Sequence, residues 1–236
     1  MRARAEVLVP AYVLQARPYS DTSLLLELFT LRDGRIGAVA RGARAPRSRL
    51  RGVLQPFVPV LVGVQGRGEL LTLTAAEADG APVPLGGDRV FYGWYLNELL
   101  LKLLARDDPH PGLFPIYART LARLPGEQAQ DALRHFERHL LEEIGFGVLE
   151  GGDFAPEQRY AWSADQGLVP DPRGPVSGAT LSALRDDQPL PGACAQEARR
   201  LLKAILTLAL AGRRLQTPLL LRRMRGVLGD NDVSST

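Results

Sequence analysis

The sequence predicts an α+β protein in which a strand-rich part precedes a helical part. Up to Gly80, short apolar and β-branched runs alternate with glycine-containing turns, whereas apolar residues at helical spacing begin only after it. The 236 residues are 45% hydrophobic and 23% charged, which excludes a disordered, collagen-like or coiled-coil chain. We therefore expect two domains, residues 1–80 and residues 81–236.

Five strands are predicted in the first domain. Tight turns are expected at Asp33-Gly34 and at Gly66-Arg67-Gly68, because glycine tolerates the positive φ that hairpin turns require. Five short strands with a longer connection after the third favour a small closed barrel of the OB type. A five-stranded SH3-like barrel fits the same pattern. The predicted strands cover residues 5–15, 23–30, 35–43, 57–65 and 69–77.

The second domain is predicted to be helical, with an irregular insert at about 147–178 that contains a short hairpin near 160–169. Asn97 and Glu98 interrupt the most apolar helix, and we expect them to hydrogen-bond a neighbouring loop, because buried polar groups need partners. The predicted helices cover residues 88–105, 112–124, 127–144, a short stretch near Leu181, 193–211 and 218–228.

The net charge of +3 conceals an uneven distribution of 27 arginines, 2 lysines and 26 acidic residues. Residues 1–70 carry 11 basic and 5 acidic side chains, residues 71–196 carry 10 and 18, and residues 197–236 carry 8 and 3. Both ends are therefore basic and the middle is acidic. An arginine-rich end is typical of a phosphate-binding surface.

The strongest local feature follows the third predicted strand, where residues 34–52 contain six arginines and no acidic residue. Glycine, serine and proline make this segment a loop, so its guanidinium groups should project into water and bind nucleic-acid phosphates. The alternative is a loop kept soluble by its charge. Alternation places Phe29 and Phe57 in the core and leaves Tyr19 as the exposed aromatic residue. The predicted nucleic-acid-binding residues are Arg35, Arg41, Arg44, Arg47, Arg49, Arg51, Arg67 and Tyr19.

The third predicted helix combines basic side chains with an apolar stripe. His135 and His139 share one face with Glu142, so a metal site with two histidines and one carboxylate can be drawn, but no further ligand lies nearby in sequence. Arg134 and Arg138 can instead receive an acidic, apolar peptide, or can pair within the helix. A second basic cluster, Arg199, Arg200 and Lys203, either extends the nucleic-acid surface or only solubilises the chain.

The single cysteine, Cys194, excludes an internal disulfide framework and a zinc site built on several thiolates. No apolar run reaches the roughly 18–20 residues that cross a bilayer, and the N-terminus does not resemble a signal peptide. Nucleophile, phosphate-loop and paired-carboxylate motifs are absent from the sequence. We therefore expect a soluble, cytoplasmic protein.

Several segments occur in an order that is similar to one known family: ARPYSDTS (16–23), GARAPRS (42–48), LQPF (54–57), GRGE (66–69), YLNEL (95–99) and LRHFE (133–137). Together they resemble the RecO family of bacterial DNA repair and recombination proteins. The resemblance covers residues 12–147 well and the remainder loosely. It implies an OB-fold followed by a helical domain, with no catalytic activity and no cofactor.

The resemblance also implies binding of single- and double-stranded DNA, annealing of complementary strands and association with the nucleoid. The implied partners are RecR and the acidic tail of the single-stranded-DNA-binding protein SSB, together allowing RecA to load onto SSB-coated DNA. Arg134 matches a family position that meets the carboxylates of that tail, and Arg138 lies one turn further on.

Many family members hold zinc with four cysteines. This chain has a single cysteine, so it resembles the zinc-free branch of the family, and we expect no metal in its insert. Two other classes stay open at this stage. An OB-fold RNA-binding module without a recombination role shares the charge pattern, and a metal-dependent hydrolase would use His135 and His139.

Overall fold

The computed structural model describes residues 7–149 and 152–222. Within these residues the chain forms two compact units. The first runs to Pro115 and takes in the segment from Leu215 onwards, and the second is Ile116–Arg214. No helix in the described part of the chain is long and apolar enough to cross a membrane.

The first unit contains a closed barrel of five strands in the order β1-β2-β3-β5-β4, so the predicted barrel is confirmed. Neighbouring strands are antiparallel except β3 and β5, which run parallel. This crossing connection and the closure of β1 on β4 are the topology of an OB barrel. The strands are β1 (Val9–Tyr19), β2 (Ser23–Thr30), β3 (Gly34–Ala40), β4 (Pro59–Gln65) and β5 (Leu70–Ala78).

Alternate residues of each strand fill the barrel, as the two-residue period of a strand requires. In β2 the inward side chains include Leu26 and Leu28, and in β3 they include Ile36 and Ala38. The first strand ends later than predicted, at Tyr19, because a β-bulge between Val13 and Gln15 lets its second half pair with β2 up to the Tyr19–Ser23 pair.

Helix α1 (Leu50–Val53) was not predicted and lies within the connection from β3 to β4. Helix α2 (Arg89–Leu103) crosses the outside of β1, where the Asn97 amide donates to the Leu14 carbonyl at 2.9 Å. The Glu98 carboxylate accepts from the backbone N–H groups of Gln216 and Thr217, which begin a helical segment at 217–222. Glu98 thus binds a neighbouring connection of the chain, as predicted, whereas the partner of Asn97 is strand β1 and not a loop. The predicted helix 218–228 is described as far as residue 222, and its remaining residues lie outside the described part of the chain.

The second unit is mainly helical and contains one small sheet with strand order β7-β6-β8. The predicted hairpin at 160–169 is confirmed as β6 and β7, and β8 is an addition. Helix α3 (Leu113–Arg123) spans the boundary between the two units. The second unit then contains α4 (Ala129–Glu143), β6 (Arg159–Ser163), β7 (Gly167–Pro170), β8 (Val176–Ser177), α5 (Gly178–Arg185) and α6 (Ala193–Ala209). The change from strands to helices falls after Ala78, whereas the compact units divide at Pro115, because α2 packs on the barrel.

Candidate nucleic-acid interface

We call the segment 41–53, which leads from β3 through α1, the arginine loop. Its apolar residues Leu50 and Val53 pack against the barrel core, next to the fully buried Leu54. The arginines of the loop are exposed to solvent, so the loop is anchored to the barrel by its apolar residues and presents its charged side chains to water. All five arginines, namely Arg41, Arg44, Arg47, Arg49 and Arg51, are exposed, and none makes an ion pair with a described residue.

Arg44 fixes the arginine loop to the turn between β1 and β2. Its guanidinium Nη1 donates to the Ser20 carbonyl at 3.0 Å, and its backbone N–H donates to the Thr22 carbonyl at 2.8 Å. Tyr19 begins that turn and is 47% exposed. The structure therefore brings together Tyr19 and the loop arginines, which were predicted to bind nucleic acid.

Arg67 is also exposed but lies at the other end of the barrel. Strand β5 runs parallel to β3, with Leu70 opposite Gly37, so the β4–β5 turn that carries Arg67 lies beside the start of β3. The arginine loop follows the end of β3. Arg67 and the arginine loop are thus separated by the length of a strand.

Arg35 has an environment different from the solvent-exposed one that the sequence suggested. Its guanidinium donates to the Glu27 carboxylate at 3.0 Å. It also donates to the carbonyl of Leu101, in the last turn of α2, and to that of Leu104, the C-cap of this helix. Arg106 binds the same carboxylate, which is buried. A cation at the C-terminal carbonyls of a helix is favoured by the helix dipole. Arg35 therefore joins the barrel to α2.

The outer face of β1, β2 and β3 is covered by the chain that follows α2. Phe114 packs on Tyr12 and on Phe29, with ring centroids 5.6 and 5.4 Å apart. The Asp108 carbonyl lies so close to Gly34 that a Cβ there would meet it at 1.8 Å. Oligonucleotides usually bind OB-folds on the face of strands 2 and 3. Here much of that face is occupied by residues 101–114, whereas the arginine loop remains accessible.

Comparison with known proteins agrees with this architecture. The family described as "Recombination protein O N terminal" matches residues 1–80, and "Recombination protein O C terminal" matches residues 85–149. The DNA repair protein RecO of Alkalilimnicola ehrlichii is 49% identical over 227 residues, covering 91% of this chain and 90% of the relative. The chain belongs to the RecO family. The RecO proteins of Methylococcus capsulatus and Nitrosococcus oceani are 48% and 43% identical, over 90% and 93% of this chain and 91% and 94% of each relative.

In this RecO-family chain, the two arginines of α4 are engaged with carboxylates of their own unit. Arg134 pairs at 2.8 Å with Glu137, which is completely buried, and the Arg134 side chain is 12% exposed. Arg138 is 6% exposed and contacts Glu142 at 2.5 Å and Asp187 at 3.0 Å. The pairing within the helix that the sequence left open is therefore present. The Nε atoms of Arg134 and Arg138 are buried and have no hydrogen-bond partner among the residues that the structure describes.

The two histidines of α4 have different surroundings. His139 lies on Asp187, with its Nε2 atom 3.0 Å from a carboxylate oxygen, and it also contacts Arg138. His135 is buried, and burial lowers the pKa of its imidazole, which favours the neutral ring. Among the residues that the structure describes, no group of three or more His, Cys, Asp or Glu side chains is arranged to hold a metal ion.

The second predicted basic cluster lies on α6. Arg199, Arg200 and Lys203 are exposed, whereas Leu201, Leu202 and Ile205 of the same helix are buried. The cluster is therefore a charged outer face of an amphipathic helix. It belongs to the second compact unit, whereas the arginine loop belongs to the first.

Proposed function

We propose that this RecO-family protein is a non-catalytic recombination mediator that binds single- and double-stranded DNA through the arginine loop and Tyr19. The carrying observation is the loop itself: five exposed arginines without ion pairs among the described residues, on a segment held to the barrel by Leu50, Val53 and Leu54. Guanidinium groups that have no protein carboxylate are available for phosphate oxygens.

The proposed mechanism is electrostatic. Two DNA strands repel each other through their phosphates, and the loop arginines lower that repulsion when they bind both strands. Binding releases counterions condensed on the DNA, which drives association and makes it dependent on salt. The protein then anneals complementary strands. With RecR it opens SSB-coated DNA to RecA, in the cytoplasm and at the nucleoid.

Changing Arg47, Arg49 and Arg51 together to alanine tests the loop. Each lost phosphate contact should flatten the slope of log affinity against log salt by about 0.7 for single strands and 0.9 for duplexes. We therefore expect the slope to fall by about 2 to 3 in fluorescence anisotropy titrations at several salt concentrations. A matched variant changes Arg119, Arg123 and Arg173, which are exposed elsewhere, and should keep the original slope. An unchanged slope in the loop variant would show that the loop is not the DNA surface.

We propose further that the face of α4 around Arg134 and Arg138 receives the acidic, apolar tail of SSB. The supporting observation is that both arginines lie beside the apolar side of α4 and that each has a buried Nε with no hydrogen-bond partner among the described residues. An entering carboxylate must compete with Glu137, Glu142 and Asp187 for these guanidinium groups. The proposal therefore requires the ion pairs to rearrange when the tail binds.

The tail site is tested by changing Arg134 and Glu137 together to glutamine. Removing both charges keeps the charge of this pair balanced, whereas a change of Arg134 alone would remove the arginine from the buried carboxylate of Glu137. We expect the affinity for a labelled peptide of the SSB tail to fall at least about tenfold, because hydrogen bonds between charged groups contribute roughly 1.5–3 kcal/mol. Binding of naked DNA should not change. Equal loss of peptide and DNA binding would contradict separate sites.

A further inference from the structure

We propose that Trp94, on α2, stacks on a base of single-stranded DNA bound to the arginine loop. This inference rests on the proposed DNA binding and adds a residue that the sequence did not single out. Its starting point is the covered outer face of the barrel. Phe29 and Tyr12, the aromatic residues of that face, are buried against Phe114 and cannot meet a base.

Two aromatic side chains are exposed among the residues that the structure describes, Tyr19 at 47% and Trp94 at 38%. Both belong to the first unit. Aromatic side chains beside a basic groove are the usual means by which proteins hold single strands, because every base has a π face. Tyr19 lies beside the arginine loop, because Arg44 binds the carbonyl of the adjacent Ser20. Whether Trp94 can contact the same DNA strand depends on its distance from the loop.

The contact between Trp94 and Phe57 places Trp94 beside the chain that leaves the arginine loop. Strand β4 begins at Pro59, opposite Tyr12, and Pro56 bridges to Val13. Traced back from Pro59 towards α1, this segment therefore passes β1 in the direction of Tyr19, where β1 ends. Phe57 lies in this segment, six residues after Arg51, and its ring meets Trp94 with centroids 5.3 Å apart.

Local packing holds Trp94 in this position. The Phe57 and Trp94 rings meet edge to face at 70°, an arrangement that aromatic quadrupoles favour. Phe57 has a φ of +66°, which side chains other than glycine rarely adopt. Gly93 makes room for it, since a Cβ at Gly93 would lie 2.7 Å from the Phe57 ring. A side chain fixed before binding loses little entropy when it stacks on a base.

Stacking on Trp94 predicts a preference between DNA forms. Bases of a single strand can turn towards the indole, whereas bases of a duplex are already stacked on one another. Stacking releases no counterions, so its contribution does not change the salt slope. Loss of Trp94 should thus weaken single-strand binding selectively, whereas loss of the loop arginines should weaken both forms and flatten the slope.

The chain contains two tryptophans, Trp94 and Trp162, which permits a direct optical test. Trp162 belongs to the second unit, so the Trp162→Phe variant reports on Trp94 alone and the Trp94→Phe variant on Trp162 alone. We expect oligo-dT to quench and shift the emission of the first variant, with the same saturation as a separate anisotropy titration. The second variant should bind oligo-dT with little change in emission.

Affinities provide the second readout. Trp94→Ala should lower the affinity for oligo-dT about tenfold and leave duplex affinity and the salt slope unchanged, with Trp94→Phe retaining most of the binding. Oligo-dT binding with unaltered Trp94 emission, or equal losses of affinity for both DNA forms, would overturn the inference. The exposed Trp94 ring would then be a candidate contact for a protein partner. Absence of DNA binding in the unmodified protein would instead contradict the proposed function.

Discussion

At the scale of single residues, the surroundings of each arginine decide its role. Arg47 and Arg49 are exposed and have no carboxylate partner among the described residues. Arg35 belongs to the same acid-free stretch of sequence but lies on Glu27 and on the carbonyls at the end of α2. Sequence composition predicts the exposed, unpaired arginines, because a loop without acidic residues offers them no local partner. It does not predict the structural contacts of Arg35, because Glu27 and α2 reach Arg35 only in the folded chain.

A partly buried carboxylate in the second unit gives a prediction at the same scale. Glu197 on α6 accepts hydrogen bonds from the Ser177 backbone N–H and from the hydroxyls of Ser177 and Thr180, and it pairs with Arg159 at 2.7 Å. Although burial alone would raise the pKa of Glu197, these donors lower it from 4.5 to about 2. The folded state thus favours the ionised form, so its contribution to stability is present above pH 4.5 and is lost as the pH falls towards 2.

The free energy of unfolding in urea at pH 6 and pH 3 measures this contribution. We expect the unmodified protein to exceed Glu197→Gln by about 2 kcal/mol at pH 6 and by much less at pH 3. The glutamine variant is the control because it keeps the shape of the side chain and does not titrate. A difference of the same size at both pH values would mean that the carboxylate charge contributes nothing to folding.

At the scale of elements, strands and long helices were predictable because their apolar periods are regular. Helix α1 was missed because four residues are too few to show a period, and what defines it is the packing of Leu50 and Val53 on the barrel. The covering of the outer face by residues 101–114 was also missed, since Phe29 has the same alternation whether its partner is the barrel interior or Phe114. The exposed arginines could thus be predicted from the sequence, but the exposed aromatic surface that we propose for the bases could not.

At the scale of the whole molecule, a net charge of +3 is the balance of surfaces with opposite charge. Between Asp33 and Glu69 there are seven arginines and no acidic residue, whereas residues 71–196 carry more acidic than basic side chains. Long-range attraction of a polyanion therefore depends on the charge of the separate surfaces and not on the net charge of the molecule. The exposed face of α6, in the second unit, is the other basic surface that the sequence singled out.

The length of the DNA distinguishes the two basic surfaces. An OB-fold binds roughly 4–16 nucleotides, so an oligonucleotide of about 8 nucleotides should lie entirely within the site that we propose at the arginine loop. We expect the combined change of Arg199, Arg200 and Lys203 to alanine to leave the salt slope for that oligonucleotide unchanged and to flatten the slope for a long duplex by about 2 to 3. The loop variant should flatten both slopes. If the α6 variant changes neither slope, the cluster only solubilises the helix, and the barrel alone contacts DNA.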